Sequence, residues 1–213
     1  MRSLAILSKQ LSILFNLQRD ALPVRAGQVY KRFVAKDGRT GVVLRAAKWE
    51  DLDDMMEFAN GLAAEHLDDI NFGVLLSKRV TRDEEAEWLA KKLVRIEQGT
   101  EVSVVAQVKG RMVGNSEVVR GSLDDVSSHG RLGIAIAKDY RGIGIGTEML
   151  TTLIRLSKEA GMKTLELEVL STNPKATALY QRVGFERAGV LKGKIRRQRG
   201  KVIDGIIMTR DLE

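Results

Sequence analysis

Residues 131–150, RLGIAIAKDYRGIGIGTEML, put an apolar strand pattern, a turn with three alternate glycines and an apolar helical pattern in direct succession. The first N–H groups of a helix have no intrahelical partners, and the helix dipole is positive at that end. Gly142, Gly144 and Gly146 leave this backbone bare, so an anion can approach it without side-chain obstruction. A pyrophosphate is the natural guest. Taken alone, the stretch fits such a cradle and a ligand-free tight turn equally. Two familiar phosphate loops are excluded. The dinucleotide fingerprint needs G-x-G-x-x-G, whereas the spacing here is G-x-G-x-G. The other loop ends in Gly-Lys-Ser/Thr, whereas Thr147 and Glu148 follow Gly146 here.

The rest of the chain reads as a mixture of strands and helices around one sheet, an α/β or α+β domain. GVVLRAA reads as a first strand. EDLDDMMEFANGLAAEH follows as a helix with Leu52, Met55, Met56, Ala59 and Leu62 on one face. Thr81 and Glu84 fit a capping box at the start of a second helix, whose apolar side carries Trp88, Leu89 and Leu93. EVSVVAQVKGRMVGNSEVVR reads as a hairpin turning at Lys109-Gly110. Beyond the glycine turn come a helix over 144–160, the strand KTLELEVL, a short helix opened by Asn173 and Pro174, and a closing strand VIDGIIMTRDL.

The chain of 213 residues has no cysteine and two histidines, which excludes disulfides, thiol catalysis and Cys-ligated zinc. No metal is expected. The net charge of +7 favours anionic partners. Residues 192–201, KGKIRRQRGK, hold six of the basic side chains and read as a solvated basic loop. No apolar run approaches the roughly 18 residues of a membrane span. Leu4, Leu7, Leu11 and Leu14 recur at helical spacing and read as a short amphipathic helix ending near Pro23. Lys9 and Gln10 interrupt it, which does not suit a signal peptide. Residues 20–41 read as a linker or irregular lead-in. Residues 1–40 are therefore expected to lie outside the domain, which spans 41–213, in a cytoplasmic protein.

Two motifs in the second half carry a family resemblance. Arg141-x-x-Gly144-x-Gly146 resembles the acetyl-CoA loop of the GCN5-related N-acetyltransferase (GNAT) family. Asn173-x-x-Ala176-x-x-x-Tyr180-x-x-x-Gly184-Phe185 resembles that family's downstream motif, and the order and separation of the two also match. Lys138 departs from the pattern, standing where the family often has a proline.

The resemblance implies a mostly antiparallel central sheet flanked by helices, with two parallel strands splayed apart at the acetyl-CoA site. The backbone of Ile134, Ala135 and Ile136 is then expected to pair with the pantetheine amides. Arg141 and the amides of Gly142, Ile143, Gly144, Ile145, Gly146 and Thr147 would hold the pyrophosphate. Asn173 is expected both to cap its helix and to contact the cofactor arm. Tyr180 resembles the general acid that protonates the departing thiolate; its place in a helical stripe with Ala176, Leu179 and Val183 also fits core packing. Glu168, twelve residues earlier, resembles the base of ribosomal-protein alanine N-acetyltransferases, and an exposed strand glutamate is the plain alternative. Glu117 is a weaker candidate base. The implied activity is direct acetyl transfer from acetyl-CoA to a primary amine, either a protein or peptide α-amine or a small amine. A second copy of the chain is a further candidate partner. A non-catalytic acyl-CoA-binding or RNA-associated module is the rival suggested by residues 192–201, although nucleic acid is not the expected partner.

Overall fold

The computed structural model describes residues 25–68, 78–122, 128–196, 200 and 202–213. The expected helix over the first twenty residues lies outside them. Among the described residues, eight strands form one sheet: β1 (Val29–Val34), β2 (Gly41–Arg45), β3 (Glu101–Val108), β4 (Arg111–Arg120), β5 (His129–Ile136), β6 (Thr164–Leu170), β7 (Glu186–Arg196) and β8 (Val202–Asp211). Their spatial order is β1-β2-β3-β4-β5-β6-β8-β7. Every neighbouring pair is antiparallel except β5 and β6. Four described α-helices flank the sheet: α1 (Leu52–Asp68), α2 (Arg82–Glu97), α3 (Ile145–Glu159) and α4 (Pro174–Arg182).

Period-two alternation divides the core between the two faces. Val104 and Ala106 of β3 join Met149, Leu150 and Leu153 of α3. Between them, Val105 faces the other way, toward Leu52 and Met55 of α1 and Leu89 of α2. Central strand β3 is thus covered on both sides, and nearly all its residues are buried. The hairpin turns where expected, with Lys109 at φ 49 and Gly110 at φ 82. The capping box of α2 also forms: Glu84 N–H donates to Thr81 Oγ1 at 3.3 Å, and Thr81 N–H to Glu84 Oε2 at 2.9 Å.

Two expectations need correction. Residues 20–41 are not an irregular lead-in throughout, because Val29–Val34 forms β1 against β2. Its Lys31-Arg32 centre and the register shift near Val29 erase the alternation that marks a half-buried strand. As an edge strand it tolerates charge on its outer side. The basic stretch is not simply a loop either, since residues 192–196 belong to β7, whose Ile195 and Arg196 pair with Ile203 and Val202 of β8. Gly193 N–H donates to Asp204 Oδ1 at 2.8 Å, the Lys192 head stays toward water, and the Lys194 head turns inward to Glu168.

Candidate functional site

Strands β5 and β6 pair at only three positions: His129 with Thr164, Gly130 with Leu165 and Arg131 with Glu166. Both strands continue, to Ile136 and Leu170, with no further ladder between them. They splay apart, and a cleft of about 1280 Å³ occupies the opening. Leu132, Ile134 and Ile136 belong to or pack on the α3 core, whereas Gly133 is in register with Glu117 and Ala135 with Asn115 on β4. All seven residues line the cleft, so it passes through the sheet from one face to the other.

At one end of the cleft lies the glycine turn. Gly142 and Gly144 have φ 79 and 93, a left-handed backbone that residues with a side chain rarely adopt. Gly144 is the N-cap of α3, and the first helical bond runs from Glu148 N–H to its carbonyl at 3.2 Å. Donors from Ile145, Gly146 and Thr147 therefore have no helical acceptor. A Cβ on Gly146 would press to 3.0 Å from Ile136 Cδ1, so glycine also allows α3 to start close against β5. Gly142, Gly144, Gly146 and Thr147 line the cleft. Ile143 packs on the core and Ile145 is fully buried within it, which leaves only their backbone for a ligand.

Arg141 lines the cleft but is also tied down. Its Nε donates to the Ile136 carbonyl at 2.7 Å, and its guanidinium forks onto Glu65 of α1. It thereby fixes the turn against α1. Lys36, from the stretch expected to lie outside the domain, joins this end. Its N–H donates to the Ile143 carbonyl at 2.9 Å, and its side chain lies 3.0 Å from where a Gly144 Cβ would be. No motif marks it; only the pairing of β1 brings it here.

Along the far wall, Asn173 Oδ1 caps α4 by accepting from Ala176 N–H at 3.1 Å, and the same side chain borders the cleft. Tyr180 is 8% exposed, packs edge-on against Phe185 at 6.1 Å and borders the cleft as well. Burial pushes its phenol up to about 12, so it keeps its proton at any physiological pH. Thr172 Oγ1 and Asn115 Oδ1 are buried at the cleft wall with no hydrogen-bond partner among the described residues. Such oxygens suit a polar ligand arm.

Five described carboxylates line the cleft, and two of them, Glu117 and Glu168, stand on strands of the sheet. Glu168 of β6 is half-buried and meets Lys194 Nζ from β7. Glu117 of β4 shares Lys92 with Glu101; Lys92 and Glu101 are fully buried at the side chain, and Arg95 closes the cluster at 2.8 Å from Glu101. Lys92 also sits 5.1 Å from the ring of Trp88, which borders the cleft rather than only packing in the core. Near them, burial raises the Glu85 carboxyl above its ordinary range. Among the described residues, no group of three or more His, Cys, Asp or Glu could hold a metal ion. No described helix is long and apolar enough to cross a membrane.

Residues 64–185 match the family model described as "Acetyltransferase (GNAT) family". A Xenopus tropicalis protein named as a probable N-acetyltransferase, camello, is 32% identical over 111 residues, 49% of this chain and 50% of that one. The [ribosomal protein bS18]-alanine N-acetyltransferase of Escherichia coli K12 is 37% identical over 76 residues, 36% of this chain and 51% of that one. The match thus spans about half the length of these curated relatives, or less. A phosphinothricin acetyltransferase of Sinorhizobium meliloti, solved in complex with AcCoA, superposes with a TM-score of 0.68 at 22% identity, covering 80% of this chain and 88% of that one.

Proposed function

Since the chain belongs to the GNAT acetyltransferase family, we propose that it transfers an acetyl group from acetyl-CoA directly to a primary amine. The observation that carries this is the single cleft shared by the splayed strands, the bare start of α3 and Tyr180. In our reading the pantetheine arm lies in the β5–β6 gap, paired with the backbone of Ile134, Ala135 and Ile136. Asn173 borders that arm. The diphosphate sits on the Gly142–Thr147 amides, where helix dipole and free donors favour it. Arg141 and Lys36 hold the turn and add positive charge. The thioester then lies between Tyr180 and the two carboxylates.

Tyr180 has a role that its burial suits. A phenol that stays protonated is a proton donor for the departing thiolate. Of the two carboxylates, Glu168 is the better base. Glu117 is held by Lys92, a fully buried ammonium that would be left under-compensated if Glu117 took a proton. Glu168 is paired with Lys194, whose side chain is 32% exposed, so water compensates that ammonium when Glu168 takes a proton.

A peptide α-amine, which titrates near about 8, offers far more free nucleophile at neutral pH than a lysine amine at about 10.4. A single carboxylate base therefore suits an α-amine, and a protein or peptide N-terminus is the acceptor class we favour. The name of the Escherichia coli relative agrees with it. The test is free-thiol release from acetyl-CoA with a panel of N-terminal peptides, amino acids and polyamines. We expect turnover with peptides, slowed in Glu168→Gln with a displaced pH–rate profile. Release with no acceptor in the panel would count against the reaction class.

A further inference from the structure

We propose that, without an acceptor, the active site acetylates its own Lys194 in cis. This deepens the acetyltransferase reading and rests on it. Lys194 belongs to neither motif. It lies on β7, the last strand of the sheet, and β8 stands between β7 and β6. Its Nζ nevertheless meets Oε2 of Glu168 on β6, so its side chain crosses a whole strand. Two features make the crossing feasible. The β7–β8 register slips between Leu191 and Ile195, around Lys194. Gly205 of β8 has no side chain, and a Cβ there would lie 3.2 Å from Lys194 Cδ and 2.6 Å from Glu168 Oε1. Nearby Lys192 turns outward to Asp204 at 2.9 Å. A primary amine thus reaches the proposed base, in the cleft that Tyr180 and β5 also line. That is the place an acceptor amine must occupy.

The step balances. The Lys194 ammonium gives one proton to Glu168, which passes it to solvent. The free amine attacks the thioester carbonyl carbon; a C–N bond forms and the C–S bond breaks. The thiolate takes a proton from Tyr180, and the second nitrogen proton restores the phenol. The products are an N-acetyl-lysine and CoA thiol. A tethered amine needs no encounter, and effective molarity offsets its small free-base fraction. The neutral amide can no longer pair ionically with Glu168, so the reaction stops after one event per chain.

The experiment incubates the whole chain with acetyl-CoA alone, followed by peptide mass spectrometry over time. Acetylation should appear first on Lys194, ahead of Lys192, although their side chains are 32% and 83% exposed and unassisted acetylation favours the exposed amine. The rate constant should not change with protein concentration, and Tyr180→Phe should slow it. Lys194→Arg should abolish that modification with an unchanged circular-dichroism spectrum. The proposal is overturned if peptides are acetylated while Lys194 stays unmodified. It is equally overturned if labelling follows exposure, or if the rate constant rises with protein concentration. Absence of both thiol release with every acceptor and binding heat with acetyl-CoA would instead remove the acetyltransferase reading, and this proposal with it.

Discussion

A Cβ on Gly205 would stand 2.6 Å from Oε1 of Glu168, closer than such atoms approach. The vacancy on β8 is what lets the Glu168 carboxylate lie over the strand and face the cleft. Gly205→Ala should push the carboxylate out of place while sparing the backbone, because the side-chain end is free to move. Misplacement of a reacting group by about 1 Å costs up to roughly 10²-fold in rate, so we expect kcat to fall about 10–100-fold. The midpoint of urea unfolding should hardly change.

Tyr180→Phe separates a proton donor from a core ring. The hydroxyl makes no hydrogen bond among the described residues, so its removal should cost less than about 1 kcal/mol of stability. Loss of the proposed general acid should lower kcat by roughly 10²–10⁴-fold. A pre-steady-state assay with acetyl-CoA and a peptide, beside a denaturation curve, reads both numbers. Loss of stability with retained turnover would make Tyr180 a packing residue.

Two phenols, Tyr30 and Tyr180, are raised by burial from 10.0 to about 12. An unfolded chain ionises them first, so between these values it binds fewer protons than the folded chain. Stability is then full below about pH 10 and falls as pH rises toward about 12. Urea midpoints across this range should decline. Phe at both positions should flatten the decline, read by tryptophan fluorescence.

Lys36 tests the part of the chain ahead of residue 41. Its side chain lies against Gly144 at the start of α3. Lys36→Ala removes one cation from the proposed diphosphate end, and a charge-assisted contact is worth about 1.5–3 kcal/mol. The Kd for CoA should therefore rise about 10-fold or more, with kcat at saturation little changed. An unaltered Kd would confine Lys36 to bracing the turn.

What could be read ahead of the structure follows from how local the signal is. The turn at Lys109-Gly110, the Thr81–Glu84 cap and the strand–glycine–helix unit each lie within a few residues, so their chemistry is visible in a short window. Strand β1 was hidden because Lys31 and Arg32 sit where alternation would be sought, and its pairing depends on β2. Residues 192–196 carry charge that reads as loop, yet β8 recruits them as a strand. Lys194 and Gly205 matter only through Glu168, far away in sequence, and Lys36 only through Gly144. Such relationships come from the order of strands in the sheet, and no residue pattern along the chain announces them.

The most direct measurement is isothermal titration of the purified, folded chain with CoA, acetyl-CoA and pantetheine. If the bare start of α3 grips the diphosphate, CoA and acetyl-CoA should bind with saturable one-site heat. Pantetheine, which lacks the diphosphate, should bind far more weakly. Equal affinity for all three would contradict the placement of the diphosphate on this turn, and no heat from any of them would contradict the account as a whole.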